Sequence, residues 1–145
     1  MKTLFLTGYE GETLEQFLEK LEKNKVTSVI DIREIPLSRK NGFSKDSLEK
    51  VLASKKIKYD HIPELGSPSH MRKSLHETGD YLSFFEAYRK YIKTEKNKIA
   101  DIERIVSKEK NPVLLCFEKI TDLCHRTILA SEILKDRPNL KITQI

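Results

Sequence analysis

A chain of 145 residues with 38% apolar and 34% charged side chains is long enough to bury one hydrophobic core and too apolar to stay disordered. No run approaches the roughly 18–20 continuous apolar residues of a membrane span, the start Met1-Lys2-Thr3 leads into a strand-like run and not a signal peptide, and the two cysteines, Cys116 and Cys124, are too few for a disulfide framework. The expectation is one cytoplasmic domain over residues 1–145, whose formal net charge of +5 favours an anionic partner, a small molecule or nucleic acid, although much of that charge is interleaved with glutamate as in Lys20-Leu21-Glu22-Lys23.

The elements follow in chain order. Leu4 to Tyr9 reads as a short buried strand that turns at Gly8 and Gly11. Thr13 caps a helix whose Leu14, Phe17, Leu18 and Leu21 form one stripe, and Val26 to Asp31 is a β-branched strand ending on a carboxylate. Strand, helix, strand in that order predicts a right-handed parallel βαβ unit. A loop from Ile32 to Gly42 leads to a helix capped by Ser44, with Leu48, Val51 and Leu52 inward, and then to a strand from Ile57 to Ile62. Pro63 to Pro68 is turn chemistry, and the stretch on to Gly79 shows no period.

Asp80 caps a helix carrying Tyr81, Phe84, Phe85, Tyr88 and Ile92, an aromatic stripe whose 3.6-residue period marks core packing more than a base-stacking platform. A helix with Ile99, Ile102, Ile105 and Val106 stops at Asn111-Pro112. Val113 to Phe117 is continuously apolar, as in a central parallel strand buried on both faces. A last helix from near Asp122 to about Lys135 and an edge strand from Leu140 to Ile145 complete the chain. The pattern is a three-layer α/β domain, with a mostly parallel sheet of about five strands and helices on both faces.

In such sheets ligands collect beyond the carboxyl ends of the strands. That rule selects Gly8-Tyr9-Glu10, Asp31-Ile32-Arg33, Cys116-Phe117-Glu118 and the cluster Cys124-His125-Arg126 at the start of the late helix. A helix start offers free N–H groups and a positive dipole end, which hold anions and lower a thiol's pKa.

Three readings fit these residue types. In the first, Cys124 is a nucleophile, His125 its base or acid, Arg33 and Arg126 clamps on an anion, and Asp31 or Glu118 proton carriers. In the second, Arg33, His125 and Arg126 bind phosphate or carboxylate while Cys124 only packs. In the third, Arg126 forms a structural ion pair with Glu118 or Asp31. Cys116, Glu118, Cys124 and His125 are also metal-ligand types, but their spacing matches no usual zinc pattern, so no metal and no other cofactor is expected. His61, His70 and His76 read as solvent-exposed, and Ser38-Arg39-Lys40 as a basic loop able to touch phosphate. No P-loop, Gly-x-Gly-x-x-Gly, Gly-x-Ser-x-Gly or His-Glu-x-x-His motif occurs.

Taken together, Thr7-Gly8-Tyr9, Val29 to Arg33 with Pro36 and Ser38-Arg39, Tyr59-x-His61-x-Pro63-Glu64-Leu65-Gly66, Leu115 to Glu118 and Cys124-His125-Arg126 resemble the domain-of-unknown-function family DUF488. The resemblance spans nearly the whole chain and implies that Tyr9, Asp31, Arg33, Pro36, Ser38, Tyr59, Gly66, Cys116, Glu118, Cys124, His125 and Arg126 form one recurring set. It implies a fold and a site without a reaction, and the segment Ser67 to Arg72 departs from the family's pattern, so no substrate preference carries over. The expectation is an enzyme-like domain with Asp31, Glu118, Cys124 and His125 as catalytic groups and Tyr9, Arg33, Ser38 and Arg126 binding an anion. Its chemistry would be hydrolysis or group transfer on a nucleotide or nucleic-acid component. The rival is a non-catalytic nucleic-acid-associated or regulatory module.

Overall fold

A computed structural model describes residues 2–118 and 125–145. Five strands among these residues, β1 (Thr3–Gly8), β2 (Ser28–Asp31), β3 (Lys58–His61), β4 (Pro112–Cys116) and β5 (Lys141–Gln144), form one sheet in the order β3-β2-β4-β1-β5. Every pairing is parallel. The expected strands all form: β2, β3 and β5 are trimmed by one or two residues at their ends, and β1 and β4 each begin and end one residue earlier than expected, so that Pro112 opens β4, a place where a missing N–H is tolerated. Although β1 and β2 run parallel as expected, they are not neighbours, because β4 lies between them.

Six helices among the described residues cover the sheet: α1 (Leu14–Lys23), α2 (Lys45–Ser54), α3 (Ser69–Thr78), α4 (Tyr81–Lys93), α5 (Lys96–Lys108) and α6 (Arg126–Asp136). The alternation of side chains along each strand sorts two cores. On one face Val29, Val113 and Leu115 meet Phe17 and Leu21 of α1 and Leu48 and Leu52 of α2. On the other, Leu4, Leu6, Ile30 and Leu114 meet Tyr88 and Ile92 of α4, Ile102 and Val106 of α5, and Leu129 and Ile133 of α6. The topology dictates this division: the chain steps one way from β1 to β2 to β3 and the other way through β4 to β5, so right-handed crossovers place the two helix sets on opposite faces. Among the described residues no helix is long and apolar enough to cross a membrane.

Local chemistry explains the element boundaries. Thr13 and Gln16 form a reciprocal capping box at α1, and the Asp80 carboxylate accepts from the Ser83 N–H at α4. Ser44 stands at the start of α2 as expected, yet its hydroxyl makes no cap bond; it accepts from the Ser38 N–H at 3.1 Å and donates to the Ser38 carbonyl at 3.3 Å, closing the preceding loop. The stretch read as aperiodic holds α3. The helix buries no residue completely, so no apolar stripe advertises it; Met71 and Leu75 are only half-buried. It ends at Gly79, whose φ of +69° is the left-handed cap conformation that glycine adopts at little cost. Between β3 and α3 a 3-10 turn, Pro63–Leu65, is held to α4 by hydroxyls, Tyr88 donating to the Leu65 carbonyl and Tyr91 to that of Glu64.

Candidate functional site

The connections leaving β1 and β2 go to α1 and α2 on one face, whereas the connection from β4, between them, goes to α6 on the other. A crevice opens where neighbouring loops part in this way. It is a cavity of about 330 Å³, walled by Tyr9 after β1, Arg33 to Arg39 after β2, Ser67 and Arg72 after β3, and Cys116 to Glu118 with His125 around β4 and α6.

Its rear wall is a buried polar chain. Asp31 is 0% and Arg33 6% exposed, and the two are joined by a two-pronged ion pair, Nε to Oδ1 at 2.9 Å and Nη2 to Oδ2 at 2.7 Å. The Arg33 backbone N–H donates to Asp31 as well, while Nη1 donates to the Tyr9 hydroxyl at 3.0 Å and the Phe43 carbonyl at 2.7 Å. The Tyr59 hydroxyl donates to the second Asp31 oxygen at 2.5 Å. Burial alone would lower the affinity of Arg33 for its proton, but hydrogen bonding and charge from Asp31 outweigh it and hold the guanidinium above its ordinary range. Burial, reinforced by the Asp31 carboxylate, raises the Tyr59 hydroxyl, so it stays a donor. Tyr9 is clamped flat on Phe43, ring centroids 4.3 Å apart, and edge-on to Phe117.

The opposite wall is set by Arg126, the first residue of α6. It is 0% exposed, and its Nη1 donates to the Cys116 thiol at 2.8 Å and to the Glu118 backbone carbonyl, while Nη2 reaches the Gln144 carboxamide at 3.4 Å. The third reading, an ion pair of Arg126 with the Glu118 carboxylate or Asp31, is not what forms: the guanidinium meets backbone, thiol and amide. Arg126 stands behind the wall, not on it. His125 is buried, packed edge-on against Tyr88 with centroids 5.0 Å apart, and lines the cavity.

Tyr9, Arg33, Ser38, Glu118 and His125 are thus brought to one cavity, with Asp31 and Arg126 one layer deeper. Cys124, expected as a catalytic group, lies outside the described residues, as does the expected helix start near Asp122. Among the described residues no group of His, Cys, Asp or Glu side chains is arranged to hold a metal ion. His70 and His76 are exposed as expected, but His61 is half-buried and its Nε2 donates to the Arg33 carbonyl at 2.7 Å, tying β3 to the cavity loop.

Sequence reasoning missed several wall residues. Arg72 comes from the unmarked helix α3 and pairs with Glu34 at 3.0 Å. The Ser69 hydroxyl and Arg72 hold the Glu34 carboxyl below its ordinary value even though burial pulls the other way. Phe117, read as the end of a buried strand, is 45% exposed at the cavity mouth. Ile35 and Leu37, exposed in the same loop as Arg39, also line it. Two apolar residues flanking Pro36 in a polar loop, outside any helical or strand period, were the available signal.

The fold and site define an open, all-parallel α/β protein with a polar crevice at its topological switch point. The chain belongs to the family described as domain of unknown function DUF488, whose sequence model matches residues 13–133. No curated protein and no solved structure matches the chain.

Proposed function

We propose that this protein is an anion-binding enzyme that hydrolyses or transfers a group on a nucleotide or nucleic-acid component, in the crevice at the end of β4. The observation that carries the reading is convergence: polar side chains from loops after β1, β2, β3 and β4 line one cavity of about 330 Å³. Arg39, exposed and without an ion-pair partner among the described residues, and Arg72 supply the charge that holds the anion. Asp31 acts by keeping Arg33 oriented and charged, and Arg126 by fixing the backbone from Cys116 to Glu118.

Glu118 and His125 are the acid/base pair. In the hydrolytic form, the Glu118 carboxylate takes a proton from the attacking water as the new bond forms, and His125 returns one to the leaving oxygen as the old bond breaks. In the transfer form a substrate hydroxyl replaces the water. Calorimetric binding and turnover over a panel of nucleotides and oligonucleotides test this, with the wild type, Arg39→Ala and Glu118→Gln. Removing a charge-assisted contact through Arg39→Ala is expected to weaken binding about ten-fold. Glu118→Gln is expected to preserve binding and lower turnover by roughly a hundred-fold or more. Equal, weak binding in all three proteins would sink the site assignment, and salt-dependent binding with no turnover of any substrate assigns the non-catalytic module instead.

A further inference from the structure

The crevice does not end at the first cavity. A second, of about 360 Å³, adjoins it, and Ser67, Arg72, Glu118 and His125 line both. The shared wall therefore carries a guanidinium, a carboxylate and an imidazole, and open space lies on each side of it.

The distribution of exposed apolar side chains follows the same line. Five large apolar residues are exposed among the described residues; Ile35, Leu37 and Phe117 line the first cavity and Tyr81 lines the second. Phe117 is held edge-on by Tyr9 at 5.4 Å, which fixes the ring while leaving it 45% exposed. Tyr81, 40% exposed, opens α4 and rests against Phe85. Tyr81 thus stands apart from its own helical stripe, whose Phe84, Tyr88 and Ile92 are buried. Each cavity holds one exposed aromatic ring, with Arg72 between them.

We infer that the groove takes a single-stranded nucleic-acid segment of at least two nucleotides, one base on Phe117, the next on Tyr81, and the linking phosphate at the Arg72 wall. This rests on the functional reading above and names its substrate class. Flat rings alternating with a cation match the alternation of bases and phosphates, and aromatic stacking is sequence-tolerant because every base presents a π-face. An acidic peptide would use the arginines but has no flat groups to place on both rings. The linking phosphate would also lie beside Glu118 and His125, the pair assigned to proton transfer.

The test measures adenosine monophosphate and the dinucleotide ApA by calorimetry, and labelled oligoadenylate and polyglutamate by fluorescence anisotropy. Each is run on the full chain as wild type, Phe117→Ala, Tyr81→Ala and Tyr81→Phe. The expected result is that ApA binds about ten-fold or more tighter than the mononucleotide. Tyr81→Ala abolishes that gain without changing mononucleotide affinity, Tyr81→Phe retains it, and Phe117→Ala weakens both ligands. Equal affinity for the two ligands, with Tyr81→Ala silent, overturns the two-nucleotide groove and leaves the anion site standing. Failure of every nucleotide to bind removes both readings, and binding of polyglutamate in place of oligoadenylate assigns the groove to an acidic peptide.

Discussion

Adding one methyl group at Gly66 probes how the cavity loop is held. A Cβ there would sit 2.4 Å from the Glu34 backbone nitrogen, 2.6 Å from the Ile32 carbonyl oxygen and 2.9 Å from the Glu34 Cα. These are about 0.6 to 1.1 Å short of the roughly 3.5 Å at which nonbonded heavy atoms rest. All three are backbone atoms, so no rotamer change relieves the clash, and both sides are pinned. The Gly66 N–H donates to the Pro63 carbonyl, the neighbouring Leu65 carbonyl accepts from Tyr88, and the Ile32 N–H donates to the Leu115 carbonyl. Overpacking a fixed site costs ~1–3 kcal/mol, and backbone on both sides puts Gly66→Ala at the upper end, about 3 kcal/mol. At roughly 2–4 °C per kcal/mol for a domain of this size, the melting temperature should fall by about 6–12 °C. Scanning calorimetry reads this directly, and binding of a nucleotide panel should weaken in parallel, because the displaced segment leads into Arg33 to Arg39. A melting temperature unchanged within about 2 °C would refute the claim that the two backbones are in fixed contact.

Two further outcomes follow from the buried charges. Arg33→Met leaves the fully buried Asp31 carboxylate without its cation and should cost about 3–5 kcal/mol, while the double variant with Asp31→Asn should lose less than the two single costs summed; additive urea midpoints would refute the coupling. Glu103 is raised above its ordinary value by burial and by the neighbouring Asp136 carboxyl, so the folded state binds that proton more readily than the unfolded chain does. Its favourable contribution is complete below the unfolded value and lost as pH rises through the folded one. Glu103→Gln should therefore raise the melting temperature at neutral pH, with the gain vanishing below the ordinary value of 4.5; equal melting temperatures at neutral pH would refute it.

Much of the fold was legible because burial writes itself as periodicity. The continuous apolar run read from Val113 to Phe117 marked a central strand, which ends one residue short at Cys116, and the stripe of Leu14, Phe17, Leu18 and Leu21 marked a sheet-facing helix. That Asp31 and Arg33 share a side was legible because residues two apart in an extended chain do; that they bond each other, in place of serving separately as proton carrier and anion clamp, was not, because it depends on the burial of both. The helix α3 was illegible for the complementary reason: it buries no residue completely, so Arg72 carried no mark of the cavity it lines. Ser44 was legible as a helix start but not as the residue that closes the Ser38 loop, since that bond depends on where the loop returns.

The amino-acid sequence by itself determined the order of the five strands and of every helix but α3, the two-sided burial of β4, the cap residues Thr13 and Asp80, and the set of strand ends at which polar residues gather. Only the tertiary structure decided that β4 would enter between β2 and β1. That insertion makes the crevice, because it sets a loop bound for one face between two bound for the other. It also decided which charges face open space. Arg126 and Asp31 are held one layer behind the wall by contacts with Cys116, Tyr59 and Arg33, while Arg39 and Arg72 remain on it. Local spacing states which side chains could share a side; how far each stands from solvent depends on long-range packing, which only the folded chain supplies.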